Sequence, residues 1–130
     1  MPERAPGLVT VLLRLPLFYN PDAQGKRDLV EDEKFMRTAE EIAEQFGGGT
    51  LFVFRGDEPR GFWWDQGIVD RDTLGLLEVD APDTAATREW FRAYARTVLL
   101  GRFRQKAIYL KFVGPVERLL VTDEEVRGDF

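Results

Sequence analysis

The stretch Leu8-Val9-Thr10-Val11-Leu12-Leu13-Arg14-Leu15 decides how the rest of the chain is read. Both of its alternating sets are apolar, interrupted only by Thr10 and Arg14. Side chains of a strand point to opposite faces in turn, so a run that is apolar on both belongs in the middle of a sheet. Pro16 has no N–H to give to a ladder and marks the strand's end. The apolar run as a whole, Leu8 to Tyr19, is twelve residues long. That is too short for a membrane span, which needs about 20. Asn20-Pro21-Asp22 after it makes a poor cleavage site for a secretory signal.

Beyond Tyr19, Pro21 and Gly25 indicate a turn-rich connection. Asp28 and Glu31 have the spacing of a capping box. Phe35, Ala39, Ile42, Ala43 and Phe46 then fall on one stripe of a helix, which Gly47 stops. Gly47-Gly48-Gly49 follows a helix instead of preceding one, so it reads as a turn and not as a phosphate-binding loop. Thr50–Arg55 is expected to be a second strand. A loop with Gly56, Pro59 and Gly61 leads into Phe62-Trp63-Trp64. Gly67–Asp80 is expected to be a long third strand with a bulge or kink at Gly75. Pro82 and Asp83 open a second helix whose buried stripe is Phe91, Tyr94, Ala95, Val98 and Leu99. Lys106–Val113 reads as a fourth strand, Gly114-Pro115 as a turn, and Val116–Val121 as a fifth strand hairpinned to the fourth.

This order, β-α-β-β-α-β with one extra strand, resembles the ferredoxin-like split βαβ fold. The resemblance implies a single α+β domain over residues 1–130, with two helices on one face of an antiparallel sheet. That fold hosts many unrelated activities and transfers none of them.

Composition narrows the chemistry. The 130 residues include no Cys, His or Ser. Disulfides, thiolate or imidazole metal sites, cysteine nucleophiles and Ser-His-Asp catalysis are therefore excluded for this chain alone. No cofactor or metal is indicated. Reduced-compartment, cytoplasmic residence fits the missing cysteine. Fourteen Arg to four Lys, a single Asn and two Met suggest a GC-rich source or a heat-adapted, thermostable protein.

Three surfaces stand out. The sheet face opposite the helices would hold large apolar groups, with Phe52, Phe54 and Tyr109 opposed by Leu51, Val53, Ile108, Leu110 and Phe112. With Trp63 and Trp64 on an aromatic loop beside it, this face is expected to bind a second copy of the chain, as a homodimer; the alternatives are cover by the chain's own aromatic loop and tail, or a ligand.

Second, Arg88–Lys111 holds seven basic residues and one acidic, so it is +6 and leaves −11 for the rest of a chain whose formal charge is −5. Arg88, Arg92 and Arg96 form a ridge at i, i+4, i+8, and Arg104 and Gln105 are further anion contacts. An acidic protein or a small-molecule anion would suit the ridge. Helix-to-helix ion pairs with Glu33, Glu40, Glu41 and Glu44 would neutralise it without a partner, and the negative net charge argues against nucleic acid.

Third, Asp70 and Asp72 share a side of an extended chain and offer an alternative, enzymatic reading as an acid–base pair or Mg²⁺ ligands. The leading expectation remains a non-enzymatic, self-associating binding or regulatory domain.

Overall fold

The computed structural model describes residues 7–52, 60–65 and 68–123, and the side chains of 7–52 and 75–123. Its elements are β1 (Leu8–Pro16), α1 (Asp32–Phe46), β2 (Thr50–Phe52), β3 (Arg60–Asp65), β4 (Ile68–Pro82), α2 (Ala85–Tyr94) and β5 (Tyr109–Val116). After Tyr94, α2 runs on through a π-helical turn, Ala95–Leu99, into a last α-turn, Leu100–Arg102. The fold is α+β, and the antiparallel strands lie in the order β2-β4-β1-β5, with β3 also paired to β4.

β1 is central, as its sequence requires. β4 pairs along it from Leu8↔Pro82 to Pro16↔Leu74, and β5 takes the other edge from Leu8↔Val116 to Arg14↔Tyr109. Val9, Val11, Leu13 and Leu15 are buried beneath the helices, while Leu8, Thr10, Leu12 and Arg14 are half-buried on the other face. Both helices cover the same side. Phe35 and Ile42 of α1 and Phe91 of α2 join one core with Leu77 and Val79 of β4. Phe91 stacks on Phe46 at 5.0 Å and meets the edge of Phe112 at 6.0 Å.

Several local expectations are corrected. α1 begins at Asp32, not after an Asp28 cap, and its N-cap Glu31 makes no side-chain capping bond. Residues 28–30 are held extended instead. Tyr19 N–H donates to the Asp28 carbonyl at 2.9 Å and Val30 N–H to the Leu17 carbonyl at 2.7 Å, so the helix starts only beyond them. Phe62-Trp63-Trp64 lies in strand β3, not in a loop. Gly75 is not a bulge: the register runs unbroken through Leu15↔Gly75. A Cβ at Gly75 would lie 3.4 Å from the Phe35 ring and 3.6 Å from Leu17, ordinary contact distances beneath the helix.

Pro82 ends β4, and Thr84 is the N-cap of α2, accepting from Thr87 N–H at 3.2 Å. Gly114-Pro115 is carried within β5 rather than forming a turn. The ladder with β1 shifts register between Leu8 and Thr10, which accommodates the irregularity. Residues 117–123 belong to no strand, so the extra C-terminal strand is not formed there. Phe54 lies outside the described residues.

At the end of α1 the chain reverses through Gly47, whose φ is +87° and whose N–H returns to the Ala43 carbonyl. A side chain there is strained in the left-handed region by about 1–2 kcal/mol. Gly47→Ala is therefore expected to lower unfolding free energy by about that amount, read by urea denaturation with an unchanged m-value.

Candidate functional site

The helix-free face is organised by register. One row across the sheet runs Phe52, Leu76, Arg14, Tyr109; the next runs Thr50, Glu78, Leu12, Lys111; the third runs Asp80, Thr10, Val113. Phe52 and Tyr109 thus share this face, as expected, at the two ends of one row. Leu51, Leu110 and Phe112 turn to the helix side and pack against the core. Phe52, Tyr109 and Val113 are 37%, 39% and 43% exposed, high for large apolar groups. Arg14 lies over the Tyr109 ring at 4.3 Å, and the Thr10 hydroxyl donates to Asp80 at 2.6 Å. The face carries acid on β4 and base on β1 and β5.

Trp63 stands opposite Asp70 and Trp64 opposite Val69 in the β3–β4 ladder, and Asp72 opposite Gly61. The side chains of Trp63, Trp64, Asp70 and Asp72 lie outside those described. Among the described residues no group of three or more carboxylates is placed to hold a metal ion, and no helix is long and apolar enough to cross a membrane.

The arginine ridge is not absorbed by α1. Arg88 pairs with Asp83 at 2.8 Å and Arg92 with Glu89 at 3.0 Å, both on the N-terminal side of the ridge's own helix. The reason is orientation: the ridge faces β5, where Arg88 lies 5.2 Å over the Phe112 ring, whereas α1 packs on the opposite flank of α2. Between ridge and strand runs a groove of about 510 Å³. Arg88, Arg92, Arg96 and Lys106 line it together with Ala95, Leu100, Ile108, Leu110 and Phe112. A smaller hollow of about 240 Å³ beside Gly47–Gly49 is lined by both signs of charge, Glu78 and Asp80 with Arg118.

Arg104 and Gln105 do not line the groove; they tie the exit of α2 to the segment after β1. Arg104 sits 4.4 Å over the Tyr19 ring, and the Gln105 amide donates to the carbonyls of Phe103 at 2.9 Å and Phe18 at 3.3 Å. Close by, Tyr19 donates to Glu31, and Lys34 reaches both the Tyr19 hydroxyl and the Arg102 carbonyl.

The pairing between helices falls to Arg102, a residue outside the ridge. Its guanidinium, 10% exposed, lies 2.5 Å from Glu41 Oε1 and donates to the buried Thr38 hydroxyl at 2.9 Å. The Tyr94 hydroxyl donates to the same Glu41 oxygen at 3.0 Å. In an unbroken α-helix, positions eight apart differ by about 80° in direction. The π turn between Tyr94 and Arg102 absorbs one residue, about 100°, and brings both onto the side of Glu41. Sequence periodicity held no sign of this turn.

The electrostatics follow the contacts. The Arg102 hydrogen bond holds the Glu41 carboxyl below the ordinary carboxylate range against the cost of burial. Burial first, and then Glu41, push the Tyr94 hydroxyl up to about 12. Burial opposes the charge on Arg102, but Glu41 and Tyr94 hold it above the usual arginine value.

No protein-family model matches the chain, and no curated protein is similar to it in sequence.

Glu41→Gln leaves a mostly buried guanidinium without its counter-charge and is expected to cost about 1–3 kcal/mol. The folded pKa of Glu41 is depressed, so its stabilisation is present above the unfolded value, near 4.5, and is lost as pH falls through the folded one. Denaturation between pH 5 and about pH 3 should show a smaller acid loss in the Gln variant than in the wild type. Tyr94 has the opposite sign: raised when folded, it stabilises below its unfolded value and loses that contribution as pH climbs from 10 to about 12. The stability difference between wild type and Tyr94→Phe should shrink across that interval.

Proposed function

We propose that this chain is a ferredoxin-like binding domain that self-associates through its helix-free sheet face, and that it works without catalysis of its own. The finer fold assignment is supported by the strand order. If β2 and β3, which both pair with β4, count as one strand position, the order is second-third-first-fourth and all antiparallel. Split βαβ domains arrange their strands this way, with two helices on one face.

The observation that carries self-association is the pattern on the open face. Exposed Phe52, Tyr109 and Val113 flank half-buried Leu8, Leu12 and Leu76. Burying a large apolar side chain is worth about 1.5–3 kcal/mol, so covering this face is favourable. The charges select the occupant. Glu78 and Asp80 stand on β4, while Arg14 and Lys111 stand on β1 and β5. A second copy related by a two-fold axis along the strands lays each acidic column over a basic one, an isologous contact. The binding reading, as against an enzymatic one, is supported by the absence of Ser, His and Cys.

Light scattering over a range of protein concentrations tests this. The expected result is a dimer that dissociates on dilution, weakened about tenfold or more by Phe52→Glu or Val113→Glu with unchanged circular dichroism. Lys111→Glu should weaken it as well, and adding Glu78→Lys should restore it. A monomer at every concentration, or a dimer indifferent to these changes, overturns the proposal.

A further inference from the structure

The groove between α2 and β5 lies on the helix side of the sheet, away from the proposed self-association face. Its lining combines an apolar floor with four cations, although the chain has 23 acidic residues and a net charge of −5. Among the described residues no carboxylate lines it. Cations four residues apart on a helix repel one another, by about 0.2–0.5 kcal/mol per pair, so the ridge is maintained against a local cost.

The charge is also uneven along the groove. At one end Arg88 is neutralised by Asp83 and spread over the Phe112 ring, and in the middle Arg92 is paired with Glu89. The chain then turns tightly, with Gln105 N–H bonded to the Leu100 carbonyl, and brings Lys106 to the end of the groove that Leu100 lines. Arg96, one turn before Leu100, and Lys106 are exposed and have no acidic partner among the described residues. Unpaired positive charge is thus concentrated at one end, and apolar surface extends from it along Ile108 and Leu110 toward Phe112.

A uniformly charged polymer has no use for that gradient. A molecule with one charged head and one apolar body matches it, and about 510 Å³ is within the usual size of small-ligand sites. We infer that this groove binds an amphipathic organic anion, its carboxylate or similar head held by Arg96 and Lys106 and its apolar body lying on Ile108 and Leu110. The π turn supports the same place, since Ala95 and Arg96 belong to it and such turns concentrate at functional sites.

Decanoate is the probe, titrated into the intact ¹⁵N-labelled chain and followed by amide shifts and calorimetry. The expected result is saturable binding with shifts centred on residues 92–112. Decanol, which lacks the charge, and acetate, which lacks the body, should each bind at least about tenfold more weakly. The surface double variant Arg96→Gln/Lys106→Gln should lose about tenfold in decanoate affinity while its oligomeric state stays that of the wild type. Four outcomes overturn the inference. Decanol binds as tightly as decanoate; the double variant binds like the wild type; shifts gather instead on Thr10, Leu12 and Val113; or an oligoglutamate peptide or a short oligonucleotide takes the groove in preference to decanoate.

Discussion

Everything in this fold hangs on β1 having a hydrogen-bonded neighbour on each side. With β4 along one edge and β5 along the other, its backbone polar groups are satisfied, and Val9, Val11, Leu13 and Leu15 can be withdrawn from water. Those four side chains are the floor on which both helices rest. The same pairing places the alternate residues, Leu8, Thr10, Leu12 and Arg14, in the middle of the opposite face, where their neighbours on β4 and β5 are fixed by register. The site geometry on either side of the sheet follows from this one strand. The helix side acquires a core and, at its β5 margin, the cationic groove; the other side acquires a mixed apolar and charged surface.

Much of this was legible in the sequence because it is written in periodicity. The two-faced apolar run of β1, the stripe from Phe35 to Phe46 with Gly47 after it, and the stripe through Phe91, Tyr94 and Leu99 all lie where their spacing puts them. What escaped was decided by long-range partners. Asp28 and Glu31 carry a capping spacing, but the bonds of residues 28 and 30 to Tyr19 and Leu17 hold the backbone extended there. Gly75 looks like an interruption when read along the strand, yet its pairing with Leu15 keeps the β1–β4 register unbroken. Val116–Val121 has the composition of a strand, yet β5 runs on through Gly114-Pro115 to end at Val116 against Leu8, and residues 117–123 are exposed and in no strand.

The candidate sites divide in the same way. That Phe52 and Tyr109 share a face was readable from alternation once each strand's register was known, and register is a tertiary property. The arginine ridge was visible as a spacing, but its partner was not. Which flank of α2 meets α1 depends on the packing of Phe91 on Phe46, and that contact turns Arg88, Arg92 and Arg96 toward β5. Arg102, one of the cations at the exit of the second helix, takes the role of bridging the helices because the π turn swings it inward.

That turn frees charge pairing from chain length. A helix that accommodates one residue more than its regular pitch allows can shed that residue and still run continuously. Removing a single position from Ala95–Leu99 would let the helix close at its regular pitch, with Tyr94 and Arg102 seven positions apart and still on one side, so the bridge to Glu41 would survive. In sequences descended from a common ancestor with this one, a one-residue gap here should therefore be found with the acid at position 41 still in place.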